Sequence, residues 1–90
     1  MVKPQFEVGK GQVGAGGVVH DPELRATSVL AVARCAEELG WRTLGVTASP
    51  LPGPSGNVEY FLWLRAETDR GFSADELESA VRAAVKAGPQ

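Results

Sequence analysis

Lys3 and Glu59 stand 56 positions apart, and each sits beside residues that favour extended backbone. An ammonium and a carboxylate set on one rim of a sheet can steady a developing negative charge or pass a proton. If the last strand runs antiparallel beside the first, the end of one meets the start of the other. The two side chains then become neighbours at the carboxyl edge, where open α/β sheets place their ligands. The plainer alternative is a surface ion pair at a sheet edge, worth about 0–1 kcal/mol.

Other chemistry-bearing residues carry less. Gly9-Lys10-Gly11-Gln12-Val13-Gly14 fits G-x-G-x-x-G. That fingerprint needs a full strand before it and a helix opening directly from it, whereas helix signals here wait until Asp21, so a conformational loop is expected. His20 has no cysteine or second histidine with it, so it is expected to meet solvent or a helix cap, and no metal site is expected. Cys35 cannot form an internal disulfide, which suits a reducing cytoplasm, and is expected to be a buried, inert thiol within a helix. Phe61 and Trp63 offer rings on which a base can stack, yet their strand is apolar on both faces, so both are expected in the core.

The elements that must position these groups follow from local signals. Val2 to Val8 reads as the end of a strand, because Pro4 cannot donate to a ladder. Gly9 to Gly17 is a glycine-rich loop. Asp21 as N-cap, Pro22 at the first helical position and Glu23 in the first turn open a helix. Its stripe runs Val29, Val32, Ala33, Ala36, Leu39, and Gly40 stops it. Trp41 to Thr47 favours a strand. Ser49 to Asn57, stiffened by Pro50, Pro52 and Pro54, forms a loop. Val58 to Arg65 alternates Val58, Tyr60, Leu62 and Leu64 against Glu59, Phe61, Trp63 and Arg65, as expected of a strand covered on both sides. After a turn at Asp69-Arg70-Gly71, Ser73 and Glu76 form a capping box. Leu77, Ala80, Val81, Ala84 and Val85 then make an amphipathic stripe, with Lys86 near its end and Gly88-Pro89 closing it. Strand, helix, strand implies a right-handed parallel crossover, with the last strand antiparallel in the same sheet.

Ninety residues make one small domain of modest stability. Hydrophobic residues at 43% and charged residues at 22% suit a globular chain, and no apolar run approaches membrane length. A net charge of −2 lacks the basic face of a stand-alone RNA-binding module, though it allows one wall of a larger enzyme.

Three runs carry a family resemblance: VKPQFE from Val2, VGAGGVVHDPEL from Val13, and VTASPLPGPSGNVEYFLWL from Val46 to Leu64. Together they resemble the TlyA-type, or hemolysin A, family of ribosomal RNA 2′-O-methyltransferases, which is similar to the FtsJ-like enzymes. The resemblance implies an α/β fold, the C-terminal part of a Rossmann-like methyltransferase domain over residues 1–90. In that family an S4-like RNA-binding module precedes a domain that binds S-adenosylmethionine. By the same resemblance, Lys3 takes the second lysine and Glu59 the glutamate of a Lys-Asp-Lys-Glu tetrad. Gln5, Ser49, Ser55 and Asn57 are expected on the substrate side.

The first lysine, the aspartate, the S4-like module and the cofactor-binding turn would lie upstream of Met1. The chain alone is therefore expected to bind no cofactor and to be inactive, its full-length counterpart acting on ribosomal RNA in the cytoplasm. Ala15 and His20 stand where relatives often carry basic side chains, which implies a weaker hold on phosphates there. A lysine acts as a base only when neutral, which takes burial or a second cation, so with Glu59 alone Lys3 is expected to stabilise charge. Two other readings are a membrane-damaging hemolysin and a non-catalytic α/β interaction domain that self-associates through an exposed sheet edge.

Overall fold

The computed structural model describes residues 1–4, 21–51, 57–66 and 68–89. The glycine-rich loop, with Gln5, Ala15 and His20, and most of the proline loop, with Ser55, lie outside the described residues.

The first helix, α1 (Pro22–Glu38), begins as its sequence dictates. The Asp21 carboxylate accepts the Glu23 amide at 2.8 Å, and Pro22 fills a position whose amide would be orphaned anyway. The second helix, α2 (Ala74–Ala87), carries the complete capping box. The Ser73 hydroxyl accepts the Glu76 amide at 3.2 Å, and the Glu76 carboxylate accepts the Ser73 amide at 3.0 Å. These bonds hold the Glu76 carboxyl below the usual carboxylate range.

Between the helices run β1 (Trp41–Ala48) and β2 (Tyr60–Ala66), paired antiparallel. The register sets Ala48 opposite Tyr60 and Val46 opposite Leu62; an irregularity between Thr43 and Gly45 leaves Leu44 without a partner. The expected first strand is reduced, among the described residues, to one antiparallel bridge between Val2 and Tyr60. Since Tyr60 is antiparallel to both neighbours, Val2 and β1 point the same way with β2 between them, as the expected mixed sheet requires.

Both helices pack on one face of this sheet. Ala26, Val29, Leu30 and Ala33 from α1 and Leu77, Val81 and Val85 from α2 form one cluster with Val2, Val58 and Tyr60, flanked by Val46, Ala48 and Leu62. Among the described residues nothing covers the other face: Phe61 and Trp63 are 40% and 55% exposed. The expectation that β2 is covered on both sides, with Phe61 and Trp63 in the core, is thus corrected. Apolar alternation marks two faces fit for burial, but both covering helices of the described chain lie on the same side. Two further corrections concern α1. Cys35 is exposed, and Leu39, which serves as the C-cap, is 75% exposed. The apolar stripe ends a turn earlier than spacing suggested, and cysteine's usual preference for burial does not decide a position on the far side of the helix.

At the other end of the hairpin, Gly71 has φ +125°, and a Cβ there would come within 2.9 Å of the Thr43 carbonyl. The turn it permits lays the Phe72 amide on that carbonyl at 2.9 Å.

Candidate active site

Glu59 directly precedes β2 and is fixed from both sides through the backbone. On one flank, Val2 and Tyr60 exchange two hydrogen bonds, Val2 N to Tyr60 O at 2.6 Å and Tyr60 N to Val2 O at 2.9 Å. On the other, the Ser49 amide donates to the Glu59 carbonyl at 2.7 Å, one step past the last β1–β2 pair. Lys3 follows Val2 as Glu59 precedes Tyr60, so antiparallel pairing sets their side chains next to each other. The Lys3 Nζ lies 3.6 Å from Glu59 Oε2, with the lysine side chain 36% and the glutamate side chain 14% exposed. A partly sheltered cation thus meets a mostly sheltered carboxylate on the rim the sequence pointed to.

The other expected site residues divide. Ser49 and Asn57 flank the loop beside Glu59 and are both buried. The Ser49 hydroxyl donates to the Leu51 carbonyl at 3.1 Å and accepts the Leu51 amide at 3.3 Å, a closed local turn that shapes the exit from β1. Gln5 and Ser55 lie outside the described residues.

Beneath this rim is a polar feature that sequence reasoning missed. Arg25 is 2% exposed inside the apolar cluster, and one of its guanidinium nitrogens donates to the Pro89 carbonyl at 3.2 Å. The Tyr60 hydroxyl is fully buried and, among the described residues, has no hydrogen-bonding partner of proper geometry. Burial raises its ionisation above the usual phenol range, and the nearby Arg25 charge offsets this only in part. The missed signal was spacing: Arg25, Val29 and Ala33 share the i, i+4, i+8 line of the buried face.

A cavity of about 270 Å³ opens elsewhere, between the helices, lined by Pro22, Glu23, Ala26, Arg82, Val85 and Lys86. Arg82 and Glu23 pair across it at 2.8 Å, both well exposed, and exposed pairs of this kind contribute little to stability. None of its lining residues belongs to the Lys3–Glu59 rim. Among the described residues there is no cluster of three metal-ligating side chains, and no helix is long and apolar enough to cross a membrane.

Comparisons with known proteins point one way. The model of the FtsJ-like methyltransferase family matches residues 1–66. The 16S/23S rRNA (cytidine-2′-O)-methyltransferase TlyA of Mycobacterium tuberculosis is 75% identical over 89 residues, covering 99% of this chain and 33% of that protein. The chain therefore spans about one third of the length of that curated relative. Among solved structures, a "putative hemolysin" from Lactococcus lactis superposes with a TM-score of 0.73 at 34% identity, covering 91% of this chain and 39% of its own. One described in the same words from Streptococcus thermophilus gives 0.75 at 28% identity, covering 93% and 30%. Family match, sequence identity and shared fold agree: the chain belongs to the FtsJ-like methyltransferase family.

Proposed function

We propose that this chain supplies the Lys3–Glu59 part of the active site of an S-adenosylmethionine-dependent ribosomal RNA (cytidine-2′-O)-methyltransferase, and that it is inactive alone. The observation that carries this reading is the approach of Lys3 Nζ to Glu59 Oε2, 3.6 Å, on a rim fixed by the Val2–Tyr60 and Ser49–Glu59 backbone bonds. The named activity of the M. tuberculosis relative supports the substrate class.

S-adenosylmethionine, where bound, supplies an electrophilic methyl group. The described residues do not fit it. A nucleoside-sized ligand takes a pocket of about 300–1,000 Å³, and the cavity of about 270 Å³ between the helices lies away from the reacting rim. What this chain offers is charge and position. Lys3 faces the ribose 2′-hydroxyl as a fixed cation that stabilises the oxygen as it gains negative charge, and Glu59 holds that cation in place and accepts from the sugar. An enzyme acting on ribosomal RNA works in the cytoplasm, which also suits a free thiol at Cys35.

Two arms of one experiment test the proposal. The purified chain is incubated with labelled S-adenosylmethionine and ribosomal subunits, and no transfer is expected; clear turnover would refute the inactivity. In parallel, the chain is joined to the part of the M. tuberculosis relative that it does not match. There Lys3→Ala or Glu59→Gln is expected to lower kcat by about 10²–10³-fold. Near-normal kcat in both variants would return the pair to an ordinary surface contact.

A further inference from the structure

Two features of the covered side have no role in the reading above: the buried guanidinium of Arg25 and the segment that follows α2. Arg25 is 2% exposed among apolar side chains and donates to the Pro89 carbonyl at 3.2 Å. Taking an ionised side chain out of water is expensive, and well-packed apolar side chains in place of buried charged groups are often neutral or stabilising. Stability alone therefore does not account for a guanidinium here. The segment it holds is pressed against β1. A Cβ on Gly88 would stand 2.5 Å from the Ala48 Cβ and 3.1 Å from the Ala84 carbonyl, although the φ of −77° at Gly88 suits any residue. Close contact, and not backbone shape, calls for glycine at this position.

That contact falls on the joint that carries the candidate active site. Ala48 is opposite Tyr60 in the register and directly precedes Ser49, whose amide donates to the Glu59 carbonyl at 2.7 Å. On the other flank, Tyr60 exchanges its two backbone bonds with Val2, the residue before Lys3. Tyr60 is itself fully buried, and its hydroxyl lies within the influence of the Arg25 charge. The two backbone mounts of the Lys3–Glu59 pair thus share one backing: Gly88 against Ala48, Pro89 on Arg25, and Arg25 near Tyr60. We propose that Arg25 is a positioning residue for Lys3 and Glu59: by holding the Gly88-Pro89 segment down on Ala48, it fixes the joints from which the ammonium and the carboxylate meet. Its part is to keep atoms in place. Where a reaction depends on alignment, a shift of about 1 Å arising away from the chemistry can cost about 10²-fold in rate. In its consequence for the rate, the inference rests on the catalytic roles proposed for Lys3 and Glu59; in its geometry it does not.

The test begins with the ¹⁵N-labelled chain. The Ser49 and Tyr60 amide protons report the two joints, and the Phe72 amide, bonded to the Thr43 carbonyl at the other end of the hairpin, is the control. Arg25→Met preserves most of the side-chain length and removes the donors. It is expected to keep the far-ultraviolet circular dichroism and to move the Ser49 and Tyr60 signals upfield while Phe72 stays in place. Gly88→Ala lifts the same segment without touching the guanidinium and is expected to move the same two signals. The double variant is expected to move them no further than the larger single change, as two contacts on one strap require. Unmoved Ser49 and Tyr60 signals, equal movement of all three, or simple addition in the double variant would overturn the proposal. Should Arg25→Met unfold the chain, Arg25→Lys, which keeps the charge but not the fork of donors, is judged by the same outcomes. The second arm uses the chain joined to the part of the M. tuberculosis relative that it does not match. There Arg25→Met is expected to lower kcat about tenfold or more with the KM for S-adenosylmethionine unchanged. An unchanged kcat, where Lys3→Ala is itself impaired, would overturn the proposal. If Lys3→Ala is harmless, the proposed function alone falls, and the amide signals decide the inference.

Discussion

On the covered face of the hairpin Tyr60 is fully buried and Leu62 half-buried, whereas their neighbours Phe61 and Trp63 on the opposite face are 40% and 55% exposed. All four are large and apolar, or largely so, and all sit in one seven-residue strand. What separates them is the layer within reach. α2 packs against β1, and α1 against β1 and β2, on the same side. A strand's apolar pattern thus specifies which surfaces are fit to be covered, while the remainder of the fold decides which of them are. Fitness and burial are different properties, and this molecule separates them within a single turn of the pleat.

The contrast can be broken most forcefully from the covered side. Leu77 reaches the cluster from α2 and is 2% exposed, so Leu77→Ala is expected to cost about 2–5 kcal/mol. At about 4–8 °C per kcal/mol for a domain of this size, thermal unfolding should move down by about 10 °C or more. A loss no larger than that from the bare face would erase the distinction. Next comes the joint between β1 and the proline loop. Ser49→Ala removes a buried hydroxyl bonded to both polar backbone groups of Leu51 and should cost about 1 kcal/mol in urea unfolding, whereas Ser49→Thr keeps the oxygen and should recover most of it. Equal losses in Ala and Thr would mean that the turn does not depend on the hydroxyl.

A smaller effect concerns the cap that anchors the covering helix. The Glu76 carboxyl, held down by the Ser73 amide and then by its hydroxyl, ionises more readily folded than unfolded. Its contribution is therefore present above the ordinary carboxylate range and disappears as the pH falls through the lowered folded value. The Tm gap between the wild type and Glu76→Gln should close on acidification; a gap that persists in acid would show that charge is not what caps α2. Smallest of all, Phe61→Ser on the bare face should stay within about 0.5 kcal/mol of wild type in the isolated chain.

Much of this was legible in the sequence, and the reasons are local. Asp21-Pro22 and Ser73-Glu76 announce their helices because capping is settled within four residues. The meeting of Lys3 with Glu59 was legible because it needs only strand direction and one register. What escaped reading depends on distant matter. Trp63 looked like core because its type and alternation say so, and nothing within the strand reveals a missing cover. Cys35 was placed inside by residue preference, although the α1 residues that the structure buries run from Arg25 to Ala33 and leave it out. Arg25 was passed over because a guanidinium argues for solvent, yet its partner carbonyl at Pro89 comes from the far end of the chain.

The Gly71 turn has a consequence for how molecules of this chain meet one another. By pinning the Phe72 amide to the Thr43 carbonyl, it occupies one acceptor along the flank of β1 that a strand from a neighbouring molecule would otherwise use. Any side chain at position 71 would strike the Arg42 Cβ and the Thr43 carbonyl, both 2.9 Å from where its Cβ must sit, and would pry that plug loose. A hydrogen-for-methyl exchange there would leave the hairpin's own bonds in place and open its side to stacking into fibrous aggregates.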